Sequence, residues 1–154
     1  MILEEARRNV VEKAHVDESA SHRLMDSMSR AFPEARVDGY EPLIAAMTND
    51  EKDRHVVAAA VRCHAQVIVT ANLKDFPEHA LEPYGLEAQH PDEFLCYLFD
   101  LDPGRVLQVV VEQAADLRKP PSTVLEVVEG LGRVVPEFAE LVRGALPRAM
   151  TAPT

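Results

Sequence analysis

Several of the groups that usually mark a functional site are scarce or missing from this sequence. Its two cysteines, Cys63 and Cys96, are not in C-x-x-C spacing. That excludes the common thiolate zinc and dithiol redox motifs, and each is expected to be a small core residue of an apolar helix. None of the six histidines, His15, His22, His55, His64, His79 and His90, has another four residues away, so no helical zinc-binding face is available and surface or hydrogen-bonded core roles are expected. A glycine-rich phosphate loop and a serine or cysteine nucleophile motif are both lacking. No apolar run approaches the roughly 20 residues of a membrane span, and Met1-Ile2-Leu3-Glu4-Glu5 lacks the basic-then-apolar layout of a signal peptide. A cytoplasmic protein without a membrane partner is expected. Positive charge is also short: 16 Lys and Arg stand against 26 Asp and Glu, a formal net charge of −10. A broad electrostatic grip on nucleic acid is therefore excluded. Chemistry at a phosphate is not, because carboxylates gathered round a bound cation invert the local field. An acidic surface would also suit a basic protein partner.

The 154 residues, 47% hydrophobic and 27% charged, are those of a globular chain long enough for one domain with a real core. Ile2 to about Glu12 reads as a helix with Ile2, Leu3, Ala6 and Val10 on one stripe. Ser19 or Ser21 is expected to cap a second helix that carries Leu24, Met25 and Met28 and stops before Phe32-Pro33. Ala35-Arg36-Val37 is a short strand candidate with Gly39 at the turn after it, and Glu41-Pro42 opens a helical turn or two. Residues 81–84 read as loop and Leu86-Glu87-Ala88 as an edge strand. From Pro91-Asp92-Glu93 onward the pattern is helical: Phe94 to Phe99, then a helix from Asp102-Pro103, then one capped by Ser122, then one from Pro136 through Leu146. The expected organisation is an α/β domain over 1–92, an all-helical extension packed on it over 93–148, and a disordered tail over 149–154.

The organising stretch is Asn49 to Pro77. Asp50, Glu51 and Asp53 stand at a helix start, and Val56, Val57, Ala60 and Val61 follow at the spacing of one buried face. Val67-Ile68-Val69-Thr70 is a β-branched run of strand length. In an open parallel sheet ligands gather beyond the carboxyl ends of the strands, which puts Asn72 and Asp75 where chemistry is expected.

Asp53-Arg54-His55 followed by Val-Val-Ala-Ala-Ala, then Thr70-Ala71-Asn72-Leu73-Lys74-Asp75-Phe76-Pro77, resembles the second half of a PIN-domain nuclease of the bacterial toxin-antitoxin kind. The resemblance implies an α/β fold with a short parallel sheet flanked by helices, and Mg²⁺- or Mn²⁺-dependent endoribonuclease chemistry. It implies an RNA substrate and an antitoxin partner. By it, Glu5 matches the acid of an I-L-x-E-x-x-R-N helix, Asp53 the acid of D-R-H and Asp75 the acid of N-x-x-D-F, and together they would hold the metal. Glu4 and Asp50 are adjacent alternatives. Thr70, Asn72 and Arg54 would contact the substrate, with Lys74 a further cation beside the acids. Hard cations of this kind take carboxylates and water rather than nitrogen or sulfur. The family's opening strand, which ends in a metal-binding Asp, has no counterpart ahead of Ile2. That departure sets a competing expectation: an amino-terminally truncated, catalytically inactive PIN-like protein that binds a partner or self-associates as a homo-oligomer through the unpaired strand edge.

Overall fold

The structure, a computed structural model, describes residues 17–117 and 120–147. The expected first helix, with Glu4 and Glu5, and the expected tail over 149–154 lie outside the described residues. The chain divides into two compact units, one reaching to Ile68 and including Lys74–Ala88, the other made of Val69–Leu73 and the residues from Gln89 onward.

In the first unit, helix α1 spans Glu18–Ala31, and its cap is Asp17, whose Oδ1 accepts the Ala20 N–H at 3.0 Å. The expected serine caps are corrected by this: Ser19 donates its hydroxyl to Asp17 and Ser21 is buried. A carboxylate two residues before the first of these serines offers a better acceptor at the positive end of the helix. The expected strand at 35–37 is also corrected. Pro33–Ala35 forms a 3₁₀ turn closed by Ala35 N–H to Phe32 O, and Val37 packs on the core without joining a ladder. Gly39 takes φ +76°, as its turn position requires. A 3₁₀ helix over Glu41–Ala46 follows, with Pro42 in its first turn.

Helix α2, Arg54–Arg62, enters through a 3₁₀ turn at Glu51–Asp53. His55, Val57, Ala58, Ala59 and Ala60 are buried, while Val56 and Val61 are only partly so. Consecutive alanines let the helix sink deeper than the single expected face, beside Tyr40, Met47, Ile68, Phe76, Leu81 and Leu86. It ends in a Schellman motif: Ala65 N–H reaches Ala60 O at 3.0 Å, His64 N–H reaches Val61 O at 3.2 Å, and His64 takes the left-handed position at φ 56°. Cys63, expected in the core, is exposed at this reversal.

The reversal delivers β1, Val67–Val69, which pairs with β2, Glu87–Gln89. Glu87 N–H bonds to Gln66 O and Thr70 N–H to Gln89 O, the slanted pattern of parallel strands. Between them, helix α3, Glu78–Leu81, and a 3₁₀ turn, Glu82–Tyr84, replace the loop expected over 81–84. Pro83 supplies a preset φ near the start of that turn, and Gly85 closes it at φ 65°. The chain is mostly helical with a short parallel two-stranded sheet, an α/β fold with a helical extension, as expected.

In the second unit, helices α4 (Pro91–Leu101), α5 (Pro103–Asp116) and α7 (Pro136–Ala145) all begin on proline, where the missing N–H costs no helical bond. Helix α6, Val124–Leu131, has a full capping box in which Thr123 and Glu126 bond each other's backbone N–H. The cap is thus Thr123 and not the expected Ser122. Phe99, Val110, Val127, Val128, Phe138 and Val142 form the core, with α4 against α7 and α6 against both α5 and α7. No described helix is long and apolar enough to cross a membrane.

Candidate metal centre

The first unit gathers three carboxylates, Asp50, Asp53 and Asp75, each offering an oxygen within 4.8 Å of the others. Their backbones explain the convergence. Asp50 caps the 3₁₀ turn, accepting the Lys52 N–H at 3.2 Å, and its carbonyl accepts the Asp53 N–H at 3.0 Å. Asp53 is the residue at which that turn becomes α2, and its side chain makes no capping bond to the helix it opens. Asp75 closes a second 3₁₀ turn, Leu73–Asp75, and is 7% exposed. The two segments are joined at one atom: the Asp75 carbonyl accepts both the Asp50 N–H and an Asn49 side-chain N–H, each at 3.4 Å. Asn49 is 3% exposed, and its Oδ1 has no hydrogen-bond partner among the described residues.

Lys52 lies among these acids. Its Nζ is 2.7 Å from Asp75 Oδ2 and 3.9 Å from Asp50 Oδ1. The hydrogen bond to Asp75 holds the Lys52 pKa above the usual lysine value, and the charges of Asp50, Asp75 and Asp53 add to it. The side chain is 64% exposed, so solvent screens the pair and its contribution to stability is small. On the other side of the turn the Lys52 carbonyl lies 2.9 Å from His55 Nδ1. A carbonyl can only accept, so that ring nitrogen carries the proton.

Of the residues singled out in the sequence, Asp53 and Asp75 come together, and the adjacent alternative Asp50 joins them. Glu5 lies outside the described residues. Arg54 turns its Nε to the Asn49 carbonyl at 3.3 Å, bracing the acidic turn. Thr70 and Asn72 belong to the second unit, where the Thr70 hydroxyl accepts the Asn72 N–H at 3.1 Å. Sequence reasoning missed Lys52 and Asn49. A lysine in an acidic run reads as a solvated charge, and nothing local announces that Asn49 reaches the backbone 26 residues away. The donor set fits a hard divalent cation: it consists of carboxylate oxygens, with neither imidazole nor thiolate among the three.

Residues 91–144 match the family described as the VapC50 C-terminal domain. Over 109 residues the chain is 48% identical to a protein of Mycobacterium tuberculosis (strain ATCC 25618 / H37Rv) named "Putative ribonuclease VapC50", an alignment that covers 71% of this chain and 64% of that protein. The chain thus spans just under two thirds of the length of that relative. No solved structure matches it. The chain is thus similar to a VapC-type protein, in agreement with the PIN-toxin resemblance carried by the D-R-H and T-x-N-x-x-D-F-P motifs.

Proposed function

We propose that this chain acts as a PIN-type endoribonuclease of the VapC kind, cleaving RNA with Mg²⁺ or Mn²⁺ held by Asp53 and Asp75, with Glu5 as a further ligand and Asp50 beside them. The observation that carries the reading is the convergence of three carboxylates from two separate segments to within 4.8 Å. A relative named as a ribonuclease supports RNA as the substrate. A divalent ion bound there would polarise the phosphate and make a water more acidic.

The chain's own groups have separable tasks. Asp75, buried and tied through its carbonyl to Asn49 and Asp50, fixes one oxygen donor so that little order is lost on loading. Asp53 presents its carboxylate from the amino end of α2, where the helix dipole favours the ionised form. Arg54 and Lys74 supply cationic contacts for the RNA backbone, and Thr70 and Asn72 supply polar ones. In the cytoplasm such an activity needs restraint, and an antitoxin protein is the proposed partner. The division into an α/β part through residue 92, a helical extension over 93–148 and a tail over 149–154 is proposed with it.

Asp53→Asn tests the reading, because it removes a charge while keeping shape. Metal-dependent cleavage of a single-stranded RNA by the full chain is expected to fall by more than the roughly 100-fold typical of outer-shell changes at metal sites, with the circular dichroism spectrum unchanged. Undiminished cleavage would remove Asp53 from the mechanism.

A further inference from the structure

A cluster of three carboxylates without a cation among them would be self-repelling, and the Asp75 side chain is only 9% exposed. A carboxylate in that position needs a charge partner. Among the described residues Lys52 is such a partner, at 2.7 Å. Its backbone is held on both sides, by Asp50 Oδ1 at the N–H and by His55 Nδ1 at the carbonyl, so the main chain of the turn has little freedom. The side chain, in contrast, is 64% exposed and can swing to solvent without disturbing the fold. An ammonium has three donors and no lone pair; it satisfies a carboxylate but cannot join it in a coordination shell. A metal about 2.1 Å from Asp75 Oδ2 would place a second positive charge close to an ammonium 2.7 Å from the same atom, and the two would repel.

We infer that Lys52 is a tethered counter-cation for this cluster: its ammonium occupies the position of a divalent ion in the metal-free protein and must leave before one enters. The residue then sets the metal concentration at which the site loads. This rests on the proposed reading of the cluster as a divalent-cation site.

The test is Mn²⁺ titration calorimetry on the full chain, compared with Lys52→Met, which keeps length and loses charge, and Lys52→Arg, which keeps charge. Lys52→Met is expected to bind Mn²⁺ about tenfold tighter at low ionic strength, as removal of one positive charge close to the ion predicts, with the gain shrinking in 1 M salt. Without metal, Lys52→Met should melt only slightly below the wild type, because solvent screens the pair, and Lys52→Arg should stay near wild type in both measurements. Binding by Lys52→Met alone would also support the inference. Equal Mn²⁺ affinity in wild type and Lys52→Met would overturn the role of Lys52 while leaving the cluster a metal site. No binding by either would overturn the cluster reading and the inference together.

Discussion

Asp92 ties two helices of the second unit together from a buried position. It is 7% exposed, and its two oxygens accept the Phe138 N–H at 2.8 Å and the Glu137 N–H at 3.0 Å. Those are the first free donors of α7, whose own N-cap residue, Val135, has no side chain able to bond them. A residue of α4 thus caps a helix from which 45 positions of sequence separate it. Asp92→Ala removes a cap and leaves buried N–H groups unpaired, so it is expected to cost about 2–3 kcal/mol. Asp92→Asn keeps one good acceptor oxygen and should cost less. Urea unfolding followed by helical circular dichroism would order the two variants; an alanine variant as stable as wild type would mean that water replaces the carboxylate there.

Among the elements, those written in local chemistry were legible in the sequence. Prolines at 91, 103 and 136 mark three helix starts, and the β-branched run at 67–69 marks a strand, because each signal acts within a few residues. The choice of cap was less legible. Asp17 outcompetes Ser19 and Ser21, and Thr123 outcompetes Ser122, through differences of a few residues in where the backbone enters the helix. The exposure of Cys63 follows from the left-handed His64, a residue type that carries no strong signal for that conformation. In the acidic site, Asp53 and Asp75 were legible through their motifs, whereas the Asn49 clamp and the Lys52 ion pair depend on contacts between segments. The capping box of α6 also gives that element a pH response. The Thr123 backbone N–H and then its hydroxyl hold the Glu126 carboxyl below its ordinary value of 4.5. A carboxylate whose pKa is lower folded than unfolded stabilises the fold above the unfolded value, and that stabilisation is lost as pH falls through the folded one. Helicity should therefore drop below pH 4.5 in wild type, and Glu126→Gln should flatten that part of the profile. An unchanged acid limb in Glu126→Gln would assign the loss to other carboxyls, Asp17 first, whose pKa is lowered by the Ser19 hydroxyl.

At the scale of the whole molecule, the excess of acid means that any added cation relieves some repulsion, since the formal net charge is −10. A specific metal effect has to be separated from that background. Only the folded chain brings Asp50 and Asp53 to Asp75, because their proximity depends on the Asn49 and Asp50 bonds to the Asp75 carbonyl. A cation that recognises this arrangement binds the native state alone and stabilises it by mass action, by about 2.7 kcal/mol at a concentration 100 times its Kd. Mn²⁺ is thus expected to raise the thermal midpoint of the wild-type chain at constant ionic strength, with a chelator reversing the rise. Nonspecific neutralisation follows ionic strength and total charge and is nearly indifferent to which carboxylates are present. The Asp53→Asn, Asp75→Asn double variant, in which the total charge changes little but the cluster is broken, should show no rise at matched ionic strength. An equal rise in that variant would mean that the metal acts on the acidic surface at large and not on the three converging carboxylates.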